Sequence, residues 1–143
     1  MINVLVVDDN GAIRTSLRSL LATAEDIKLV AMANNGVEAV EKARSLSPDV
    51  AVMDISMPLM DGIEATEHIR ECCQLTRVII FSSFNDPEHV RRALEVGAKG
   101  YVLKDEAASD LLEGIRTIHL GKPYFSQKIT EIAEEFLLRG NDS

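Results

Sequence analysis

Five short apolar runs alternate with longer stretches of helical spacing, and this alternation restricts the possible folds more than any other feature. The runs are Ile2 to Val7, broken only by Asn3, then Ile27 to Ala33, Val50 to Met53, Val78 to Phe81 and Tyr101 to Leu103. Near-continuous Val/Ile/Leu runs suit parallel strands covered on both faces. Between them Ile13, Leu17, Leu20 and Leu21 recur on one helical face, as do Val37, Val40 and Ala43, and later Leu111, Ile115 and Ile118. Asn35 with Glu38, and Asp61 with Glu64, have the spacing of capping boxes. Asp86-Pro87 sets a capping acid before a proline at the first helical position. The pattern predicts an α/β fold with a parallel sheet and right-handed crossovers.

After Leu120 the pattern changes. Gly121-Lys122-Pro123 reads as a break. Ser126 then reads as the cap of a last helix with Ile129, Ile132, Ala133 and Phe136 on one face. Gly140-Asn141-Asp142-Ser143 reads as a frayed end or the start of a linker. The expected organisation is one domain over 1–122, followed by a C-terminal helix and the start of a linker over 123–143.

Composition narrows the partners. The 143 residues carry a net charge of −8, with 23 acids against 15 Lys and Arg. Such a chain repels nucleic acid and anionic lipid, so direct DNA binding is not expected. The two cysteines, Cys72 and Cys73, are adjacent, which argues against a disulfide and a zinc site and fits a reducing cytoplasm. The start, Met1-Ile2-Asn3-Val4-Leu5, lacks the basic lead and apolar stretch of a signal peptide. No apolar run approaches the ~18 residues of a membrane span.

The chemistry is at the strand ends. In an open α/β sheet, ligands bind beyond the carboxyl ends of the strands. The first run ends at Asp8-Asp9 and the third at Asp54. Any one of these would be an ordinary loop acid. Three converging at one rim would repel one another unless a cation intervened, and Mg²⁺ is the natural one for hard oxygen ligands. The fourth run ends at Ser82, a hydroxyl that can donate to a phosphoryl oxygen, and the fifth at Lys104, a mobile point charge. An acidic pair, a carboxylate nucleophile, a hydroxyl and an ammonium are the equipment for forming an acyl phosphate.

The stretch Asp54-Ile55-Ser56-Met57-Pro58-Leu59-Met60-Asp61-Gly62 resembles the Asp-x-x-Met-Pro-x-x-Asp-Gly signature of response-regulator receiver domains. Asp8-Asp9 after Val4-Leu5-Val6-Val7 resembles that family's acidic pair. Ser82 stands where the family has Ser or Thr, and Gly97-Ala98-Lys99-Gly100-Tyr101-Val102-Leu103-Lys104 resembles its last strand. The likeness runs from Met1 to about Leu120. It implies a flavodoxin-like (CheY-like), doubly wound, five-stranded parallel sheet in the order 2-1-3-4-5, here with an extra C-terminal helix.

The resemblance also implies roles. Asp54 accepts the phosphoryl group from a sensor histidine kinase. Asp8, Asp9, Asp54 and the backbone carbonyl of Ser56 hold Mg²⁺. Ser82, the Ser83 backbone N–H and Lys104 bind phosphoryl oxygens. Ser82 moves towards the phosphoryl group and Tyr101 turns inward as the switch. Ser56 and Phe84, two residues beyond the acceptor and beyond Ser82, tune dephosphorylation. Where many receivers have Pro after the lysine, often with a cis bond, this chain has Asp105, and a trans bond is expected.

Gly100-Tyr101-Val102-Leu103-Lys104-Asp105 and Gly121-Lys122-Pro123-Tyr124-Phe125-Ser126 resemble the NarL/FixJ (LuxR-type) group. The implied output is transcription, reached through a helix-turn-helix domain outside this chain, with a stand-alone receiver as the alternative. Homodimerisation on phosphorylation is expected, through the face of the fourth helix, fifth strand and fifth helix, through the first and fifth helices, or through the strip Ile129, Ile132 and Phe136. Two other functions compete. A haloacid-dehalogenase-type phosphatase also uses an Asp nucleophile at a strand end, but has a second Asp two residues on, where this chain has Ser56. A degenerate receiver would lack Asp9, Asp54 or Lys104, and all three are present. The expectation is a domain that catalyses only its own phosphorylation and dephosphorylation.

Overall fold

The computed structural model describes residues 1–106 and 108–141. Each expected apolar run is a strand: β1 (Ile2–Val7), β2 (Ile27–Ala33), β3 (Val50–Met53), β4 (Arg77–Ser82) and β5 (Gly100–Leu103). The helices between and after them are α1 (Gly11–Ala22), α2 (Gly36–Leu46), α3 (Gly62–Cys72), α4 (Pro87–Glu95) and α5 (Ala108–His119). All strand pairs are parallel. The sheet order is β2-β1-β3-β4-β5-β6.

The sixth strand corrects the expectation of five. Tyr124–Phe125 forms β6, which pairs with Gly100 and Tyr101 of β5. Two residues are too few to display a period, and a break at Gly121-Lys122-Pro123 hides a strand that is created by its neighbour. The chain then enters α6 (Gln127–Asn141). Gly140 and Asn141, expected at a frayed end, still lie within α6, whereas Asp142 and Ser143 are outside the described residues.

Strand alternation divides the core into two layers. Leu5, Val7, Ala51, Met53, Ile80, Tyr101 and Leu103 face one side, packed with residues of α2, α3 and α4 and with Ile129 and Ala133 of α6. Val4, Val6, Val50, Val52, Ile79 and Val102 face the other side, against α1 and α5. Full burial of each such side chain stabilises by about 1.5–3 kcal/mol, so the two layers hold the strand ends in fixed register. Ile132 and Phe136 also pack on this core, so the strip read on the last helix covers its own domain. With β6 along the free edge of β5 and α6 beside α4, the fourth-helix/fifth-strand/fifth-helix face is partly covered by the chain itself.

The three expected helix starts form, each through the side chain of its cap residue, without the return bond from the glutamate side chain to the cap N–H that would complete a capping box at Asn35 or Asp61. Asn35 accepts from the Glu38 N–H at 2.9 Å and Asp61 from the Glu64 N–H at 2.8 Å. Asp86 accepts from the His89 N–H at 3.1 Å, with Pro87 in the first turn. Each such cap contributes about 1 kcal/mol. Ser126 behaves differently. Its carbonyl accepts from the Ile129 and Thr130 N–H groups, but its hydroxyl accepts from the Leu103 N–H at 2.9 Å. The side chain expected to cap α6 instead bolts α6 to β5.

Candidate functional site

Parallel strands point their carboxyl ends to one rim, and β1, β3, β4 and β5 deliver their last or next residues there. Asp8 follows Val7, and Asp54 follows Met53, the strand partner of Val7. Ser82 ends β4, and Lys104 follows Leu103, the partner of Ser82. The backbone locks this register: the Asp54 N–H donates to the Val7 carbonyl and the Lys104 N–H to the Ser82 carbonyl, each at 3.0 Å. Gly62 closes the loop after Asp54 from behind. A Cβ at Gly62 would fall 1.8 Å from the Asp54 carbonyl oxygen, so no other residue fits there without displacing the backbone of Asp54.

Asp8 and Asp54 are buried, while Asp9 is exposed. One carboxylate oxygen from each of the three lies within 4.8 Å of the others. Asp8 Oδ1 accepts from the Asn10 N–H at 2.9 Å, and the Asp8 carbonyl accepts from Arg14 Nη1 at 2.7 Å. Lys104 Nζ lies 2.9 Å from Asp8 Oδ2 and 3.2 Å from Asp54 Oδ1. One ammonium thus serves two buried carboxylates. Three carboxylates that share a single ammonium, with no thiol or imidazole among them, form a donor set suited to a hard cation.

The ion pair does not set the ionisation of Asp54 alone. Burial raises its pKa first, and the neighbouring Asp8 raises it further. Lys104 and the Ile55 N–H, 2.9 Å from Asp54 Oδ1, pull it down without cancelling the rise. Burial would lower Lys104, but Asp8 and Asp54 outweigh it and its pKa is raised. Both partners are thus shifted upwards, Asp54 chiefly by burial and then by Asp8, and Lys104 by the two carboxylates it faces.

Ser82 is fully buried, and its Oγ accepts from the Phe84 N–H at 3.1 Å. Tyr101 is also fully buried and donates its hydroxyl to the Phe84 carbonyl at 2.6 Å. Burial pushes the phenol pKa up to about 12. The ring expected to turn inward is therefore already inward. Ser83 and Ser56 stand exposed on the loops that leave β4 and β3, and Phe84 is 37% exposed. No described peptide bond is cis, Lys104-Asp105 included.

The sequence missed three features of this site. Ser126 is tied twice to the edge of the strand that carries Tyr101, accepting from the Leu103 N–H and donating its own N–H to the Tyr101 carbonyl, each at 2.9 Å. The Tyr101 hydroxyl is anchored on Phe84. The Phe84 ring stacks on His89, with centroids 4.0 Å apart and planes 1° from parallel. Only the last carried a sequence signal, the three-residue step from the cap Asp86 to His89, whose Nδ1 lies 2.7 Å from Asp86 Oδ2.

Comparison with known proteins agrees with this geometry. Residues 4–116 match the response regulator receiver domain family. The transcriptional regulatory protein LnrK of Bacillus subtilis is 38% identical over 130 residues, covering 91% of this chain and 59% of that protein. The nitrate/nitrite response regulator protein NarL of Escherichia coli K12 is 37% identical over 129 residues, covering 90% and 60%. The chain thus spans about three fifths of the length of these two relatives. Among solved structures, a LuxR-family two-component response regulator from Aurantimonas sp. SI85-9A1 superposes with a TM-score of 0.88 at 34% identity, covering 94% of this chain and 97% of that one. The chain belongs to the response regulator receiver domain family.

Proposed function

We propose that Asp54 accepts a phosphoryl group from a sensor histidine kinase and that the modified chain switches an output, transcription through a helix-turn-helix domain outside this sequence. The observation that carries this reading is the position of Asp54: a buried carboxylate at the end of β3, 3.2 Å from Lys104 and clustered with Asp8 and Asp9. An Asp54 oxygen attacks phosphorus, the bond from phosphorus to the donor breaks, and its electron pair leaves with the donor. Lys104, Ser82 and the Ser83 N–H bind the transferred oxygens. Asp8, Asp9, Asp54 and the Ser56 carbonyl would hold Mg²⁺, which when bound neutralises charge on the carboxylates and the phosphoryl oxygens.

Since Tyr101 is already inward, phosphorylation acts by holding that arrangement against outward alternatives, with Ser82 drawn to the phosphoryl group. Phe84 and Ser56 flank the path of hydrolytic water. The modified chain pairs as a homodimer in the cytoplasm, and the cover of α6 over α4 leaves the first and fifth helices as the more open surface. No described helix is long and apolar enough to cross a membrane.

Incubation with acetyl phosphate and Mg²⁺ tests this. The expected result is label that stops at one phosphoryl group per chain and does not form with EDTA. Sustained release of phosphate from small phosphate esters would favour a phosphatase instead.

A further inference from the structure

The loop between Ser82 and α4 is held by a chain of contacts that ends on a residue with no place in the reaction above. Phe84 is bonded on both sides of its peptide unit. Its N–H donates to Ser82 Oγ at 3.1 Å, and its carbonyl accepts from the Tyr101 hydroxyl at 2.6 Å. Because Ser82 Oγ already accepts from Phe84, its own proton is free to donate elsewhere. The Phe84 ring has no comparable support within the loop. It is 37% exposed, and a side chain so placed ordinarily keeps its rotamer freedom.

What fixes the ring is His89, on the first turns of α4. The imidazole lies parallel to the phenyl ring at 4.0 Å. His89 is itself immobilised, since Nδ1 lies 2.8 and 2.7 Å from the two carboxylate oxygens of Asp86. Asp86 in turn is the N-cap of α4 and accepts from the backbone N–H of the same histidine. The Asp86 carboxyl is held below its usual range, chiefly by its hydrogen bond with the His89 side chain. An aromatic stack of this kind adds cation–π attraction when the imidazole carries charge.

We propose that His89 is a positioning residue for the acceptor site: through the Phe84 ring it holds the Ser82–Phe84–Tyr101 network and so prolongs the life of the phosphorylated state. This rests on the acceptor role of Asp54. In the reaction it slows, a water oxygen bonds to phosphorus. The bond from phosphorus to the Asp54 oxygen breaks with its electron pair left on the carboxylate, and the water protons pass to phosphate and solvent. A loose loop lets Ser82 drift from the phosphoryl oxygens and admits water. A stacked loop does neither.

The test compares the full chain with His89→Ala, which removes the stack, and with His89→Phe, which keeps a ring but loses Asp86. The helix cap survives both, because it uses the backbone N–H of residue 89. After labelling and removal of donor, His89→Ala should lose its phosphoryl group about threefold to tenfold faster, the rate factor that matches loss of one aromatic pair. His89→Phe should stay close to the parent chain. In a Phe84→Ala background, His89→Ala should add nothing further. An unchanged lifetime for His89→Ala, or an effect of the same size without Phe84, overturns the proposal. If the parent chain takes no label, the acceptor reading fails, and amide exchange decides on His89 alone. The Phe84 N–H should then exchange several-fold faster in His89→Ala and not in His89→Phe, as expected for a loop released from its support. Equal exchange in all three overturns it.

Discussion

The two sides of the rim are built on different principles. The β1/β3 side is electrostatic: Asp8, Asp9 and Asp54 crowd together, and Lys104 reaches across to two of them. The β4/β5 side is a hydrogen-bonded relay of Ser82, Phe84, Tyr101 and Ser126 with one donor for each acceptor. The first is unbalanced, with one ammonium against three carboxylates and a raised Asp54. In the second each acceptor has its donor, and the Ser82 hydroxyl proton is left to donate. On the proposed function, a cation and a phosphoryl group would relieve the imbalance of the first side, and Ser82 would carry that change into the second.

Removing Lys104 should produce the largest effect, because it takes away the ammonium that pairs with the carboxylates of both Asp8 and Asp54. Lys104→Ala leaves Asp8 and Asp54 facing each other, both nearly excluded from water. Loss of one partner from such a pair costs about 2–4 kcal/mol, somewhat less than in a fully dry site, since the lysine side chain keeps 18% of its exposure. Urea denaturation at pH 7 should show this loss, and added Mg²⁺ should recover more of it in the variant than in the parent chain. Equal recovery in both would mean that cation and lysine do not compensate the same charge.

Ser126→Ala tests the relay side. The substitution leaves the Leu103 N–H buried with no acceptor, at a cost of about 1–3 kcal/mol. Were Ser126 only a helix cap, amide exchange would accelerate along the first turn of α6. The structure places the weakened contact elsewhere, so exchange should rise first at Leu103 and Tyr101 of β5.

These two residues also show what the sequence discloses. The acids were legible because each stands where an apolar run stops, and strand ends in a parallel sheet share one rim by construction. Lys104 was legible for the same reason. Ser126 was misread because a serine followed by helical spacing fits a cap, and its acceptor role towards Leu103, 23 residues earlier, leaves no local trace. Strand β6 was hidden for a related reason, since Tyr124 and Phe125 become a strand only against Gly100 and Tyr101. The inward Tyr101 depends on the Phe84 carbonyl, and no side-chain pattern reports on where a carbonyl points.

The smallest effect concerns the pH dependence of the acid side. Folding raises the pKa of Asp54, so the folded chain holds that proton more tightly than the unfolded chain. The stability this confers is complete below the ordinary carboxylate value of 3.8 and is lost as pH rises through the folded value. At neutral pH the ionised Asp54 therefore destabilises the fold, and Asp54→Asn should raise Tm by roughly a few degrees. The gain should shrink towards pH 4. A gain independent of pH would assign it to packing, and a loss would show that the pair with Lys104 dominates.

The acceptor itself provides the most direct test. The parent chain, Asp54→Asn, Asp9→Asn and Ser82→Ala are each incubated with acetyl phosphate and Mg²⁺, and the label is mapped by peptide mass and by its lability to hydroxylamine, which cleaves acyl phosphates. Hydroxylamine-labile label is expected on the peptide holding Asp54 in the parent chain. None is expected in Asp54→Asn, although that variant remains folded, and slower label in the other two. Undiminished label in Asp54→Asn, or label on another residue of the parent chain, would remove Asp54 from the acceptor role.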